Sequence, residues 1–260
     1  MIDLDLHDGL AQIVLNAPSR LNAVNDDDLR DLGAAYDEAE RLGVRALVLR
    51  GEGRAFCAGR DISGVDPRDD DVIGYLGGQV TPLLQRMAAF PAPTFAAAQG
   101  ASLGVGLGLL IATDVVYVAE NARIGSPFAA LGATLDSGGH WLFLDRLGAH
   151  KTLDLLYTGR LMTGSEAVQS GLFSRALPAD ELLATTLDVA RKAAVGATEA
   201  FLASKRLVQR IRDERLALWE SIDHENAAQA ALCDTDDYRE GFAAFQEKRT
   251  PTFTGGRAGA

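Results

Sequence analysis

Along this 260-residue chain the spacing of apolar positions changes several times, and each change predicts an element. LAQIVL at 10–15 alternates and runs into Asn16-Ala17-Pro18, a strand closed by a turn. Over 26–42, apolar residues recur at Leu29, Leu32, Ala35, Tyr36 and Ala39, the spacing of one helical face. The acidic first turn of that run suits the positive end of a helix dipole. VRALVL at 44–49 predicts a strand ended by the loop GEGR, and DPRDDD at 66–71 an exposed loop with freedom to move. Residues 72–89 read as helical and 91–99 as a buried strand of small residues. From Gly100 to about Ala112 a helix is expected, then a buried strand over 114–119, DVVYVA.

Strand, helix, strand, strand, helix therefore recurs at similar spacing. That pattern predicts an α/β core over residues 1–180, with helices covering the strands. From 181 to 260 the character changes. TTLDVARKAA, EAFLASKRLVQRI and LALWESIDHENAAQAA are three helical runs with no strand among them, a region suited to packing on a neighbouring subunit. The closing TGGRAGA is expected to fray.

Composition narrows the function classes. With 47% hydrophobic and 23% charged residues the chain has the profile of a soluble globular protein. A formal net charge of −11 argues against a nucleic-acid partner, because phosphates would be repelled. Cys57 and Cys233 have neither metal-ligand spacing nor a disulfide framework, which points to a reducing, cytoplasmic setting. MIDLDLHDG lacks the basic and apolar regions of an export signal. The uncharged stretch 87–113 is interrupted by Pro91, Pro93, Gln99 and four glycines. A buried strand, turn and helix explain it better than a membrane span.

Two glycine-bearing loops carry candidate chemistry. In GASLGVGLG at 100–108, Gly104, Gly106 and Gly108 alternate, and Leu109 stands where a dinucleotide fingerprint needs its third glycine. The lysine and hydroxyl residue of a phosphate loop are missing too. What remains is glycine at a helix start, where N–H groups lack intrahelical partners and a ligand can approach the main chain. Close helix packing would use the same glycines. AFCAGRDI at 55–62 is a tight turn on Gly59 that exposes main chain before Asp61. Cys57 within it reads as a small buried hydrophobe, since no histidine is placed by sequence to activate it.

These loops, with ATDVVYVAENARIGSP at 112–127, resemble the crotonase family of enoyl-CoA hydratases and isomerases. The resemblance runs from PSRLNAV at 18–24 to DYREGFAAFQEKRTPTFTG at 237–255. It implies a crotonase-like (ClpP/crotonase) α/β spiral of ββα units with a C-terminal helical region, assembled as a trimer or dimer of trimers. It also implies an acyl-CoA substrate, with coenzyme A part of that substrate rather than a separate cofactor, and no metal. By position, the backbone N–H groups of Arg60 and Val105 would hold the thioester oxygen, where enolate charge develops. Leu21, Ala23, Ala58, Gly59, Asp61, Ile62, Gly104, Gly108, Pro127, Phe128, Leu131 and Leu135 would line the substrate. Asp61 and Asp114 would also make structural hydrogen bonds. Lys248, with Phe245 nearby, would approach a coenzyme A phosphate of its own or an adjacent subunit. The two glutamates that hydratases use fall at Gly108 and Phe128, so efficient hydration is disfavoured.

LGATLDSGGHW at 131–141 sets a lone carboxylate, Asp136, among neutral residues. Two readings stand, and they are compatible. Asp136 can cap a helix over 137–147, accepting from the N–H groups of Gly138 and Gly139. It can also be a base whose pKa is raised by Phe128, Leu131 and Leu135. The segment resembles that of ring-epoxide isomerases of bacterial phenylacetate breakdown, where an aspartate is the base, and this favours catalysis. The expectation is an isomerase that shifts a 3,4 double bond to 2,3 or rearranges an epoxyphenylacetyl thioester, with Gly108 leaving room for the ring. A hydratase using Asp136 alone and a non-catalytic acyl-CoA-binding protein are the alternatives. His140 reads as a packed or exposed residue rather than a second proton carrier.

Overall fold

The computed structural model describes residues 1–255. Two strands open it, Ile2–His7 (β1) and Leu10–Leu15 (β2), paired antiparallel across a turn at Asp8-Gly9. β1 is not among the predicted elements. Its aspartates have low strand propensity, and it forms because β2 offers it an edge, with Ile2 and Leu4 half-buried. The helix Asp26–Arg41 (α1) follows with a reciprocal cap between Asn25 and Asp28, then Ala46–Gly51 (β3), Val72–Tyr75 (α2) and Thr81–Ala88 (α3). A π-helical turn at Leu76–Val80 joins α2 to α3, so the predicted helix is present but widened in its middle.

Next come Thr94–Ala98 (β4), Ala101–Leu103 (β5), Val105–Ile111 (α4), Val115–Ala119 (β6) and Arg123–Gly125 (β7). The helix expected from Gly100 is thus a short strand followed by a shorter helix. Cross-strand pairing of 101–103 with 123–125 overrides the local preference. β4 joins a six-stranded sheet of order β1-β2-β3-β4-β6 plus Arg175–Leu177 (β9), parallel except at β1. β5 and β7 join a three-stranded sheet with Met162–Thr163 (β8). The pairs β4–β5 and β6–β7 each give one strand to each sheet before a helix returns, so the chain climbs as a spiral.

The helix expected over 137–147 begins at Gly139 and reaches Thr158 (α5), bending at Gly148, whose φ and ψ are 73° and 170°. Gly164–Gln169 (α6) precedes β9. Ala179–Ala194 (α7), Thr198–Glu214 (α8) and Leu218–Leu232 (α9) match the predicted helical runs, and Asp236–Glu247 (α10) adds a fourth helix. α7 lies on the six-stranded sheet, where Ala190 and Ala194 pack with Leu10, Ala46, Val48 and Phe95. The small residues let the helix approach the strands closely. The opposite face meets α1 through Leu29, Leu32 and Tyr36. The uncharged stretch 87–113 is core, and no helix among the described residues is long and apolar enough to cross a membrane. From 256 onward the fraying expectation falls outside the described residues.

Asn22 ties the N-terminal segment to the loop that follows β3. Its Oδ1 accepts from Ala17 N–H at 2.8 Å, and its Nδ2 donates to the carbonyls of Glu52 and Ala55 at 2.9 and 2.8 Å. All this is buried. Asn22→Ala should lower unfolding free energy by about 1–3 kcal/mol, because buried main-chain groups lose their partners. Urea denaturation checks this. Asn22→Asp should be worse than Asn22→Ala, since it sets oxygen against two carbonyl oxygens.

Candidate active site

The segment after β3 is held on both sides by main-chain bonds. Phe56 N–H donates to Gln99, Cys57 N–H to Ala101, and Leu103 N–H back to Cys57, at 2.7, 2.9 and 3.0 Å. On its other side Ala58 N–H donates to Leu21, Val24 N–H to Gly59 and Asp61 N–H to Val24. The N–H of Arg60 is left over: among the described residues it meets no acceptor, and neither does that of Val105 at the start of α4. The two loops touch at glycines. Gly59 has φ +103°, and a Cβ there would lie 2.9 Å from the Leu103 carbonyl oxygen and 3.9 Å from Gly104 Cα. Gly104 (φ 52°, ψ −119°) turns the chain from β5 into α4 in a conformation that disfavours other residues.

Asp136 does not cap α5. Gly138 holds the cap position with no side-chain bond, and Asp136 gives only its main-chain carbonyl, to Gly139 N–H at 2.9 Å. Its Oδ1 is buried without a hydrogen-bond partner, as are the side-chain oxygens of Tyr75 and Ser137. Burial pushes the Asp136 carboxyl above the usual carboxylate range; nearby Ser137, Arg60 and His140 oppose this only in part. Ser137 (φ 51°) and Gly138 (φ 88°) are consecutive left-handed residues that swing Asp136 off the helix start. The cost at Ser137 is about 1–2 kcal/mol.

The Arg60 side chain is also placed. It forms two parallel bonds to Asp70, at 2.8 and 2.7 Å, and its guanidinium stacks 4.0 Å from the centre of the Tyr75 ring. Loop 66–71 is therefore pinned rather than free: Asp70 turns inward to Arg60, and Asp71 caps α2 by accepting from Gly74 N–H. Tyr75 is buried, which raises its phenol pKa and keeps it a donor. Tyr75, Asp70 and Ser137 escape sequence reasoning. No local spacing distinguishes them, and only the turn at Gly59 brings Arg60 to them.

The remaining predicted residues divide. Phe128 points its ring tip at Gly104, 2.7 Å from where a Cβ would stand. Leu135 is buried against Gly139, and Leu21, Ala23, Ala58 and Pro127 are half-buried. Leu131 is 62% exposed and does not enclose Asp136 as expected. Ile62 is exposed, and Asp61 is engaged by Arg20 at 3.3 Å and Ser63 N–H at 3.0 Å. Asp114 accepts from Thr94 and pairs with Lys205, a structural role. Lys248 closes the end of α10 with its backbone N–H and exposes its side chain. His140 is exposed, 3.5 Å from the Thr134 hydroxyl. Cys57 is fully buried and its thiol is pushed up to about 12, an inert sulfur.

Gly108 holds no open space for a ring. A Cβ there would lie 2.5 Å from Ser137 Cβ and 3.3 Å from Leu84 Cδ1, so Ser137 fills the position. A cleft of about 900 Å³ lies between α3, α4 and α8, with Phe95, Ile111, Trp141 and Val208 in its walls. It reaches Gly108, Ser137 and Gly138, but Arg60, Tyr75, Val105 and Asp136 do not line it.

Known proteins share this architecture. The profile of the Enoyl-CoA hydratase/isomerase family matches residues 5–256. A probable enoyl-CoA hydratase of Rhizobium meliloti (strain 1021) is 37% identical over 246 residues, 93% of each chain. The 1,2-epoxyphenylacetyl-CoA isomerase of Escherichia coli (strain K12) is 32% identical over 252 residues, 95% of each. The crystal structure of an enoyl-CoA hydratase from Bacillus anthracis superimposes with a TM-score of 0.88 at 27% identity, covering 98% of this chain and 99% of that one. The two-sheet spiral is thus the crotonase fold, and a match spanning almost the whole sequence means that this chain belongs to the enoyl-CoA hydratase/isomerase family.

Proposed function

We propose that the chain is an acyl-CoA isomerase in which Asp136 is the single proton carrier. The observation that carries this reading is the buried, unpartnered Oδ1 of Asp136. A carboxylate that neither caps a helix nor pairs with a cation keeps its affinity for a proton. The free N–H groups of Arg60 and Val105, on loops that meet at Gly59 and Gly104, suit the thioester oxygen. Asp136 takes a proton from carbon 2 of a 3-enoyl thioester, and the electron pair delocalises onto that oxygen. Returning the proton to carbon 4 leaves the double bond between carbons 2 and 3. The fixed donors stabilise the intermediate without reorganising.

Hydration needs a second group to hold and activate water. Gly108 and Phe128 offer none, and Ser137 occupies the space a carboxylate at 108 would need. The same filling favours a slim 3-enoyl chain over a ring-epoxide substrate. Exposed Trp219, Val208, Phe242 and Phe245 on the C-terminal helices support self-association, a trimer or dimer of trimers.

Purified protein given a 3-enoyl-CoA should yield the conjugated 2-enoyl product, and Asp136→Asn should slow this by at least ~10²-fold. An undiminished mutant would remove Asp136 from the chemistry. Rapid 3-hydroxyacyl-CoA formation would instead make the protein a hydratase. Because burial raises the carboxyl pKa and the ionised form is the base, kcat/KM should fall with decreasing pH, with its midpoint above the roughly 3.9 of a free aspartate. Gly108→Ala should lower kcat, because its methyl group would lie 2.5 Å from Ser137 Cβ and displace Ser137 and, with it, Asp136. Unchanged turnover in that variant would uncouple position 108 from the base.

A further inference from the structure

The cleft between α3, α4 and α8 ends against the residues that frame the candidate chemistry. Gly108, Ser137 and Gly138 line its inner end. Gly108 lies three residues along α4 from Val105, a rise of about 4.5 Å, so the cleft opens within one helical turn of that N–H group. Ser137 follows Asp136 directly in the chain, and its buried hydroxyl has no partner among the described residues. The far wall is one face of α8, where Phe201, Ser204, Lys205, Val208 and Arg212 recur at helical spacing. α8 is fastened to either side. Lys205 and Gln209 donate to the carbonyls of Phe90 and Ala88 at 2.9 and 3.0 Å, and Arg215 meets Asp145 of α5 at 3.4 Å. The charges in the walls are already matched: Lys205 pairs with Asp114 at 3.0 Å and Arg212 with Asp213 at 2.7 Å. Leu84, Phe95, Ile111 and Trp141 give hydrocarbon surface between them.

We propose that this cleft takes the hydrocarbon tail of the acyl group, so that the preferred substrates are medium-chain 3-enoyl thioesters with an uncharged end. The proposal rests on the assignment of Asp136 as base and of the Arg60 and Val105 N–H groups as oxygen donors. With the thioester oxygen on those donors and carbons 2 to 4 at Asp136, the chain beyond carbon 4 runs past Gly108 and Ser137 into the apolar walls. α8 borders the cleft from Phe201 to Asp213, a length of about 18 Å, which accommodates several methylenes beyond the reacting carbons. A carboxylate at the end of the tail would find Lys205 and Arg212 engaged by Asp114 and Asp213, and would lose hydration without gaining either cation. Contacts to the tail are remote from the reacting carbons and equal in ground and transition states, so they lower KM rather than raise kcat.

Two measurements on the full chain test this. Calorimetric binding of saturated butyryl-, hexanoyl-, octanoyl- and decanoyl-CoA needs no turnover, and kcat and KM for the matching 3-enoyl-CoA series read the reaction. From hexanoyl to decanoyl, Kd and KM should fall about two- to fourfold per added methylene, with kcat nearly constant. Ser204→Trp on α8 and Gln85→Trp on α3 replace exposed residues of opposite walls, so each should fill the cleft and flatten both series. A thioester of equal length ending in a carboxylate should bind at least ~10-fold more weakly than its methyl-ended counterpart. A wild-type series independent of length, tryptophan variants that keep the wild-type slope, or tighter binding of the carboxylate-ended thioester overturns the inference. A tryptophan variant that changes the oligomeric state and keeps the slope also overturns it, and makes the cleft a contact between copies of the chain. Absence of isomerisation by wild type, with Kd still falling along the series, defeats the Asp136 assignment and upholds the tail site.

Discussion

The structure depends on one close approach, where the turn at Gly59 meets the end of β5 at Leu103 and Gly104. Ordinary side chains would hold these main chains apart: a single Cβ at Gly59 would lie within 2.9 Å of the Leu103 oxygen. Bonds from Phe56, Cys57 and Leu103 fix the register, and the segment 21–24 closes the other side. This clamping leaves the N–H groups of Arg60 and Val105 without partners among the described residues. Orphan donors beside packed main chain are costly unless a ligand or solvent satisfies them. Here the fold makes them by using up every neighbouring bond.

The second constraint is electrostatic. Burying a carboxylate without partners is unfavourable, and Asp136 bears that cost together with a left-handed Ser137. Among the described residues the buried side-chain oxygens of Tyr75 and Ser137 also lack partners. Several cations of the molecule are paired with other carboxylates. Arg60 goes to Asp70, Arg20 to Asp61 and Asp28, and Lys205 to Asp114.

Much of this was legible in the sequence because it rests on local pattern. α1 announces itself by its apolar face and acidic first turn, and the buried strands by their apolar runs. The loop glycines carry the family resemblance. What was not legible depends on distant partners. β1 looks like an acidic tail until β2 gives it an edge. Residues 101–103 read as helix until they pair with 123–125. Asp136 has the sequence setting of a cap, and only Gly138, in a left-handed conformation, shows that the helix starts without it. Gly108 reads as open space, yet the space belongs to Ser137, whose backbone twist no pattern of Ser and Gly foretells. The Arg60–Asp70 pair joins residues ten apart across an irregular loop, where periodicity carries no information.

Placing the candidate oxygen-binding groups on the peptide backbone has an evolutionary corollary. A peptide N–H survives almost any substitution at its own residue, so positions 60 and 105 can change their side chains without removing the donors. Position 60 carries a large charged group in this chain, whose fork is held by Asp70. New specificities can arise at such sites by single replacements, because the anchoring geometry is inherited from the chain's path rather than from its side chains.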